Sequence, residues 1–165
     1  MTDPDVEGIS QIYLIGSGDE RLEHIRVLFL EYVDWLDIDL SFQDFDDELE
    51  RLPGDYGDPH GALYLAMRGT EPAGCVGVRP LEEGTCEMKR LWVRPKFRGQ
   101  TLGKRLASAA IDAGIRLGYR RMRLDTLEWM KDAVRLYESI GFRRISAYYD
   151  NPLPSVVYLE KILIH

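Results

Sequence analysis

The chain has 165 residues, of which 45% are hydrophobic and 30% charged, and its formal net charge is -7. This composition predicts one folded domain over residues 1–165 and excludes a disordered chain, while the acidic balance disfavours binding of nucleic acid. No stretch reaches the roughly 20 apolar residues of a membrane helix, and the first residues lack the basic and apolar regions of a signal peptide. We therefore expect a cytoplasmic protein without a membrane partner.

Apolar spacing predicts the elements of the first half of the chain. Leu22, Ile25 and Phe29 recur at helical intervals, whereas short apolar runs bounded by glycine or proline are typical of strands. The predicted order is strand 9–15, helix 19–36, helix 42–52, strand 62–67, strand 74–80 and strand 85–93.

The second half begins with the clearest helix, in which Leu106, Ala110 and Ala113 form one apolar stripe. The predicted order is helix 103–117, strand 122–124, helix 132–140, strand 143–147 and strand 156–163. Strands and helices are thus mixed along the whole chain, which predicts an α/β domain.

The segment from Met88 to Arg105 reverses the charge of the whole chain. It has no acidic residue and seven basic ones: Lys89, Arg90, Arg94, Lys96, Arg98, Lys104 and Arg105. A glycine-containing turn lies between the strand and the helix, and the N-terminus of a helix is a natural anion site. The segment predicts a phosphate or pyrophosphate ligand; the alternative is an ordinary turn with solvated basic side chains. A P-loop is excluded, because Gly99 to Lys104 is one residue too short and Arg105 replaces the metal-binding hydroxyl.

Two short motifs resemble those of the GNAT superfamily of N-acetyltransferases. Residues 98–103, RGQTLG, are similar to the acetyl-CoA signature Q/R-x-x-G-x-G/A. Residues 133–142, AVRLYESIGF, are similar to the A-x-x-x-Y-x-x-x-G-F helix of the same family. The resemblance covers residues 9–163 and implies the acyl-CoA N-acyltransferase fold, a mixed central sheet with helices on both faces. It also implies acetyl-CoA as cofactor and transfer of its acetyl group to a primary amine.

The resemblance assigns cofactor-binding residues. The pyrophosphate would be held by a turn made of Arg98, Gly99, Gln100, Thr101, Leu102, Gly103 and Lys104. The backbone of Leu91, Trp92 and Val93 would pair with the pantetheine arm, and the Val93 amide would polarise the acetyl carbonyl. Thr101 replaces the middle glycine of the family, and we expect its hydroxyl to cap the helix. Met130 replaces an asparagine that contacts the arm in many members.

Tyr137 matches the general acid of the family, which protonates the departing CoA thiolate. The alternative is a helix tyrosine whose ring merely packs in the core. Glu87 lies eleven residues before Arg98, the spacing of the catalytic glutamate in histone-type members, and is the candidate base. The alternatives are an ion pair of Glu87 with Lys89 or Arg90, and a water molecule as the base.

The resemblance also implies where the acceptor side lies: at the acidic segment 37–58, which follows the first helix, and at Tyr148, Tyr149 and Asp150, between the last two strands. Carboxylates and aromatic faces attract cations, so these segments favour a cationic amine; the alternative is a solvated acidic face.

Transfer is expected through a direct ternary complex, which needs no nucleophilic cysteine. We expect Cys75 and Cys86 to be buried free thiols, with an acetyl-cysteine route through Cys86 as a minor option. No spacing typical of a metal site is present. Three alternatives stay open: a non-catalytic acyl-CoA-binding sensor or interaction module, transfer of a longer acyl chain, and a homodimer.

Overall fold

The computed structural model describes residues 10–41 and 44–163, which contain seven strands and four α-helices. The strands are β1 (Gln11–Leu14), β2 (Ala62–Arg68), β3 (Glu71–Glu82), β4 (Thr85–Val93), β5 (Arg121–Leu127), β6 (Arg143–Ile145) and β7 (Val156–Ile162). The helices are α1 (Leu22–Leu36), α2 (Phe45–Arg51), α3 (Leu102–Arg116) and α4 (Lys131–Ser139). All seven strands join one sheet in the order β1-β2-β3-β4-β5-β7-β6.

Helices cover both faces of this sheet because alternate residues of its strands are apolar on opposite sides. Leu63 and Leu65 of β2 pack with the buried face of α1, which includes Ile25 and Phe29. Residues that alternate with them, such as Tyr64, belong to the second core, with the buried stripe of α3 and with α4. The predicted mixed sheet with helices on both faces is therefore confirmed.

The predicted element order is also confirmed, with shifts at the ends. Strand β5 is longer than predicted, running from Arg121 to Leu127 rather than over 122–124. The predicted helix 42–52 is seen as Phe45–Arg51, and residues 42 and 43 lie outside the described residues, as does Ile9 of the first strand. In the described part of the chain, no helix has the length and apolar character needed to cross a membrane.

Strands β4 and β5 create the gap in which the site lies. They are parallel and pair over only three positions, the last being Glu87 with Arg123. Farther along, β4 stays paired with β3 and β5 with β7, so the two strands separate. We call the gap between residues 88–93 of β4 and 124–127 of β5 the wedge.

A bulge in β4 changes the direction of the backbone beside the wedge. Two steps along β3, from Cys75 to Gly77, oppose three steps along β4, from Trp92 to Lys89. Arg90 absorbs the extra residue with a φ of 60°. A bulge bends its strand and increases its twist, which turns the following backbone away from the regular ladder.

Candidate active site

A cavity of about 540 Å³ extends from the wedge to the turn before α3. Its wall includes every residue predicted to bind the cofactor except one: Leu91, Trp92, Val93, Arg98, Gly99, Thr101, Leu102, Gly103 and Lys104. The exception is Gln100, which is exposed and accepts a hydrogen bond from Arg68 at 3.2 Å. The opposite wall comes from the start of α4 and includes Met130, Ala133 and Leu136. The fold thus brings together two motifs that are about 30 residues apart in the sequence.

The turn before α3 presents backbone amides to this cavity. Gly99 and Thr101 both have positive φ values, 80° and 61°. The expected cap is wrong, since the Thr101 hydroxyl donates to the carbonyl of Gln100 at 2.6 Å and no side chain caps the helix. The first-turn amides of Leu102 to Lys104 have no acceptor within the helix, and these residues line the cavity. Such amides, with the positive end of the helix dipole, fit a diphosphate group.

Only part of the basic segment 88–105 lines the cavity beside the turn. Most of its cations have other partners: Lys89 lies 3.3 Å from Asp125, Arg90 2.9 Å from Glu48, Arg94 2.6 Å from Glu31 and Lys96 3.0 Å from Glu71, while Arg105 donates to the Ser10 carbonyl at 2.9 Å. Of the seven, only Arg98 and Lys104 line the larger cavity. The other five basic residues form contacts within the fold instead.

The end of β4 directs amides into the wedge. The N–H of Arg94 donates to the carbonyl of Ala73, in β3, at 2.9 Å. Successive N–H groups of an extended strand point to opposite edges, so the N–H of Val93 points to the wedge instead. Val93 therefore presents a backbone donor to the larger cavity.

A smaller cavity of about 90 Å³ meets the larger one at the wedge. The two share Tyr32, Leu91, Met130 and Ala133 as wall residues. The smaller cavity adds polar groups from the two strands, Lys89, Asp125 and Thr126, and aliphatic groups from Leu36, Ile38, Leu40 and Leu153. One molecule in each cavity would meet the other between β4 and β5.

Tyr137 lies in the wall of the smaller cavity. Its side chain is 7% exposed, and its ring packs edge-on against Phe142 with 5.8 Å between centroids. Burial raises the pKa of the hydroxyl, and the nearby Tyr32 and Asp125 raise it further. The phenol is therefore protonated at neutral pH.

Glu87 lies outside the walls of both cavities. It is 2% exposed, its Oε1 accepts from Nε of Arg79 at 3.0 Å, and its Oε2 accepts from the hydroxyl of Tyr148 at 2.7 Å. The ion pair expected as the alternative does form, although the cation is Arg79 rather than Lys89 or Arg90. Both oxygens of the candidate base are thus engaged.

The segment expected to bind the acceptor contacts the strands through two tyrosines. Tyr148 donates to Glu87, and Tyr149 donates to Asp125 at 2.8 Å. Burial raises the pKa of both hydroxyls, and the adjoining carboxylates reinforce the effect. Asp150 is exposed and lines neither cavity. Leu153, three residues after Asp150, lines the smaller cavity instead.

The acidic segment 37–58 contributes apolar rather than acidic groups to the smaller cavity, namely Ile38 and Leu40. Several of its carboxylates, including Asp44, Asp47 and Glu48, line a separate cavity of about 260 Å³. Glu48 is neutralised there by Arg79 and Arg90.

Both cysteines are buried free thiols, as predicted. Burial raises the pKa of Cys86 to about 12 and raises that of Cys75 as well. Neither group is a thiolate at neutral pH, which removes the form needed for an acetyl-cysteine route.

Trp35 and Trp129 line the larger cavity and were not identified from the sequence. Trp35 lies at the end of α1 and Trp129 two residues after β5, outside both motifs. The only signal in the sequence is that tryptophan is rare, with three in the chain, and that Trp35 lies near the end of the predicted helix 19–36.

Comparison with known proteins places this geometry in a family. The profile of the Acetyltransferase (GNAT) family matches residues 29–142, which include both strands of the wedge, the turn and α4. The chain belongs to the GNAT family of acetyltransferases. Acetyl-CoA is the acetyl donor of this family, and the amides and the cavity of this GNAT acetyltransferase fit its diphosphate and its arm.

Relatives and solved structures agree with this assignment. An uncharacterized N-acetyltransferase of Schizosaccharomyces pombe is 46% identical to this GNAT chain over 86% of the chain and 88% of the relative. An acetyltransferase structure from Streptococcus agalactiae has a TM-score of 0.76 at 21% identity, covering 93% of this chain and 98% of that one. A GNAT acetyltransferase from Elizabethkingia anophelis, solved with acetyl-CoA bound, has a TM-score of 0.66 at 22% identity, covering 93% and 98%.

Proposed function

We propose that the chain acts as a single N-acetyltransferase domain that moves the acetyl group of acetyl-CoA to a primary amine, with both substrates bound together. The observation that carries this proposal is the meeting of two cavities at the wedge, one beside the anion-binding turn and one beside Tyr137. Two substrates can therefore be in place at once, and a covalent enzyme intermediate is not needed. The high pKa of the buried Cys86 supports the same conclusion.

Bound acetyl-CoA supplies an activated thioester. The first-turn amides of α3 and the Lys104 side chain bind the diphosphate. The Val93 amide donates to the thioester carbonyl oxygen, where negative charge develops as the amine attacks. Tyr137 lines the smaller cavity, and its hydroxyl gives its proton to the departing sulfur.

The acceptor enters through the smaller cavity. Asp125 is the carboxylate that lines this cavity. It is ionised at neutral pH, because the ammonium of Lys89 and the hydroxyl of Tyr149 outweigh burial and hold its pKa below the usual value. Lys89 balances the charge of this carboxylate at 3.3 Å, so Asp125 orients the amine as a hydrogen-bond acceptor rather than through a net negative charge of the cavity. The amine must then lose a proton, to Glu87 or to water, before it attacks.

The experiment is a steady-state assay with acetyl-CoA and a panel of polyamines, amino acids, aminoglycosides and lysine peptides, with CoA release followed by chromatography. We expect CoA release with at least one primary amine and none with the N,N-dimethyl form of the same compound. Varying both substrates should give intersecting double-reciprocal lines, which indicate a ternary complex. Parallel lines would contradict the direct transfer. Binding of acetyl-CoA without CoA release on any amine would contradict the function itself.

A further inference from the structure

The three tryptophans of the chain form one row along the larger cavity. The ring of Trp35 lies 5.4 Å from that of Trp92 and 5.5 Å from that of Trp129, between centroids. Trp92 is on β4, and Trp129 follows β5. Trp35, from α1, therefore joins the ends of the two strands where they have separated and share no backbone hydrogen bonds.

The row is buried at one end and open at the other. Trp92 is 5% exposed, whereas Trp35 is 41% and Trp129 53% exposed. Large aromatic side chains that stay exposed at the rim of a cavity offer broad, rigid contact area at a small cost in side-chain entropy. Trp129 also lies between β5 and α4, where no regular element restrains it.

Arg98 connects this row to the anion-binding turn. Its guanidinium lies 4.9 Å from the ring centroid of Trp92 and 5.2 Å from that of Trp35. Its Nε donates to the carbonyl of Val93 at 3.1 Å. The guanidinium is thus directed at two rings and the end of β4, so that the turn, the strand and the aromatic row are held in one arrangement.

We propose that Trp35 and Trp129 form an aromatic clamp on the pantetheine arm of acyl-CoA, with Arg98 as its positioning residue. The arm is the part of the cofactor that must cross the cavity from the anion-binding turn to Tyr137. Its methylene and dimethyl groups match the apolar face of an indole. The clamp closes the open end of the wedge over the arm, where the sheet itself provides no wall.

The test is a titration followed by tryptophan emission, which reports only on this row because the chain has no other tryptophan. Two probes are compared: CoA, and 3′-phosphoadenosine 5′-diphosphate, which keeps the nucleotide and diphosphate but lacks the arm. We expect CoA to change the emission and the shorter nucleotide to bind with little change. Calorimetry on the same samples gives both dissociation constants without reference to activity.

Trp129→Leu is expected to weaken CoA about fivefold to tenfold, the scale of one lost aromatic contact, and to leave the dissociation constant of the shorter nucleotide unchanged. Trp35→Leu should do the same, and unchanged nucleotide binding shows that each variant is folded. The exposed Trp129 carries the test if Trp35→Leu does not fold. An unchanged affinity for CoA in Trp129→Leu overturns the proposal. Equal weakening of both probes also overturns it, since the ring would then act on the nucleotide or on the fold.

Arg98→Lys separates positioning from charge, because lysine keeps the charge but not the planar group that stacks on the rings. We expect Arg98→Lys to weaken CoA as Trp129→Leu does and to spare the shorter nucleotide. The matched control, Lys104→Ala, should weaken both probes. Wild-type affinity for CoA in Arg98→Lys would show that Arg98 does not position the clamp and that only its positive charge matters for binding.

Discussion

Tyr137, which is buried, and Tyr32, which is half-buried, both line the smaller cavity, and only Tyr137 lies in the α4 motif. Burial raises the pKa of Tyr32 to about 12 and also raises that of Tyr137. Both hydroxyls are therefore protonated at neutral pH, and protonation alone does not identify the acid. The position of each hydroxyl must therefore identify the general acid, and substitution of each tyrosine by phenylalanine gives a matched comparison.

We expect Tyr137→Phe to lower kcat about 10²-fold, the usual contribution of a general acid, and to leave the dissociation constant of CoA unchanged. Tyr32→Phe removes a hydroxyl from the same walls and should lower kcat far less. The measurements are steady-state kcat and calorimetric binding of CoA. Equal losses in the two variants would assign the effect to cavity polarity rather than to proton donation.

Tyr148 donates a hydrogen bond to Glu87. Substituting the two residues separately therefore distinguishes a catalytic role of Glu87 as a base from a structural role in holding the segment around Tyr148. If Glu87 accepts the proton of the amine, Glu87→Gln lowers kcat/KM about 10²-fold and shifts the acidic limb of the pH–rate profile. Tyr148→Phe keeps the carboxylate and should preserve that limb. If both variants keep the wild-type profile and lose similar thermal stability, Glu87 only anchors the segment around Tyr148, and water is the base.

At the scale of elements, α3 begins at a strained residue. Thr101 is β-branched and has a left-handed φ of 61°, a conformation that costs an L-residue about 1–2 kcal/mol and glycine almost nothing. Family members place glycine at this position, according to the resemblance described above. The strain persists because the turn must present the amides of the first turn of α3 to the cavity.

We expect Thr101→Gly to raise the free energy of unfolding by about 0.5–1 kcal/mol and the Tm by about 2 °C, after subtraction of the larger chain entropy of unfolded glycine. Thr101→Ala also removes the hydroxyl bonded to Gln100 but keeps a β-carbon, so it should gain much less. Thermal and urea denaturation of the three proteins measure the difference. A gain in the alanine variant equal to that in the glycine variant would show that the backbone is not the source of strain.

The element order could be predicted because it depends on local patterns, such as the apolar stripe of α3 and the apolar runs of β2 and β4. The bulge in β4 could not, since the residue with positive φ is Arg90 and no glycine marks it. The partners of the basic residues could not be predicted either. Arg90 pairs with Glu48, 42 positions away, and such pairs are set by tertiary packing rather than by spacing. The same limit applies to Trp35, which reaches the cavity only once α1 packs on the sheet.

For the whole molecule, buried phenols set the response to alkali. Burial raises the pKa of seven tyrosines: Tyr32, Tyr56, Tyr119, Tyr137, Tyr148, Tyr149 and Tyr158. A raised pKa in the folded state gives stability that is complete below the unfolded value of about 10 and is lost as pH rises through the folded values. Lys89 contributes to the pH dependence with the opposite sign, because burial lowers its pKa, but it is one group against seven tyrosines.

We expect the Tm to be nearly constant from about pH 7 to 9 and to fall steadily above about pH 10. The absorbance of tyrosinate should appear in two steps, the exposed tyrosines first and the buried ones only on unfolding. Circular dichroism and ultraviolet absorbance on the same samples measure both. Full tyrosinate absorbance in a protein that is still folded would contradict the burial of these rings.

The two buried cysteines have a practical consequence for the chemistry of detection. Colorimetric disulfide reagents react with thiolates, and both Cys75 and Cys86 are withheld from them by burial and by raised pKa values. In the native protein the colour therefore counts each CoA molecule that the reaction sets free, without a background from the catalyst. Over longer times each buried thiol can be labelled only when the sheet opens. The rate of the slow increase in absorbance therefore measures how often the molecule unfolds.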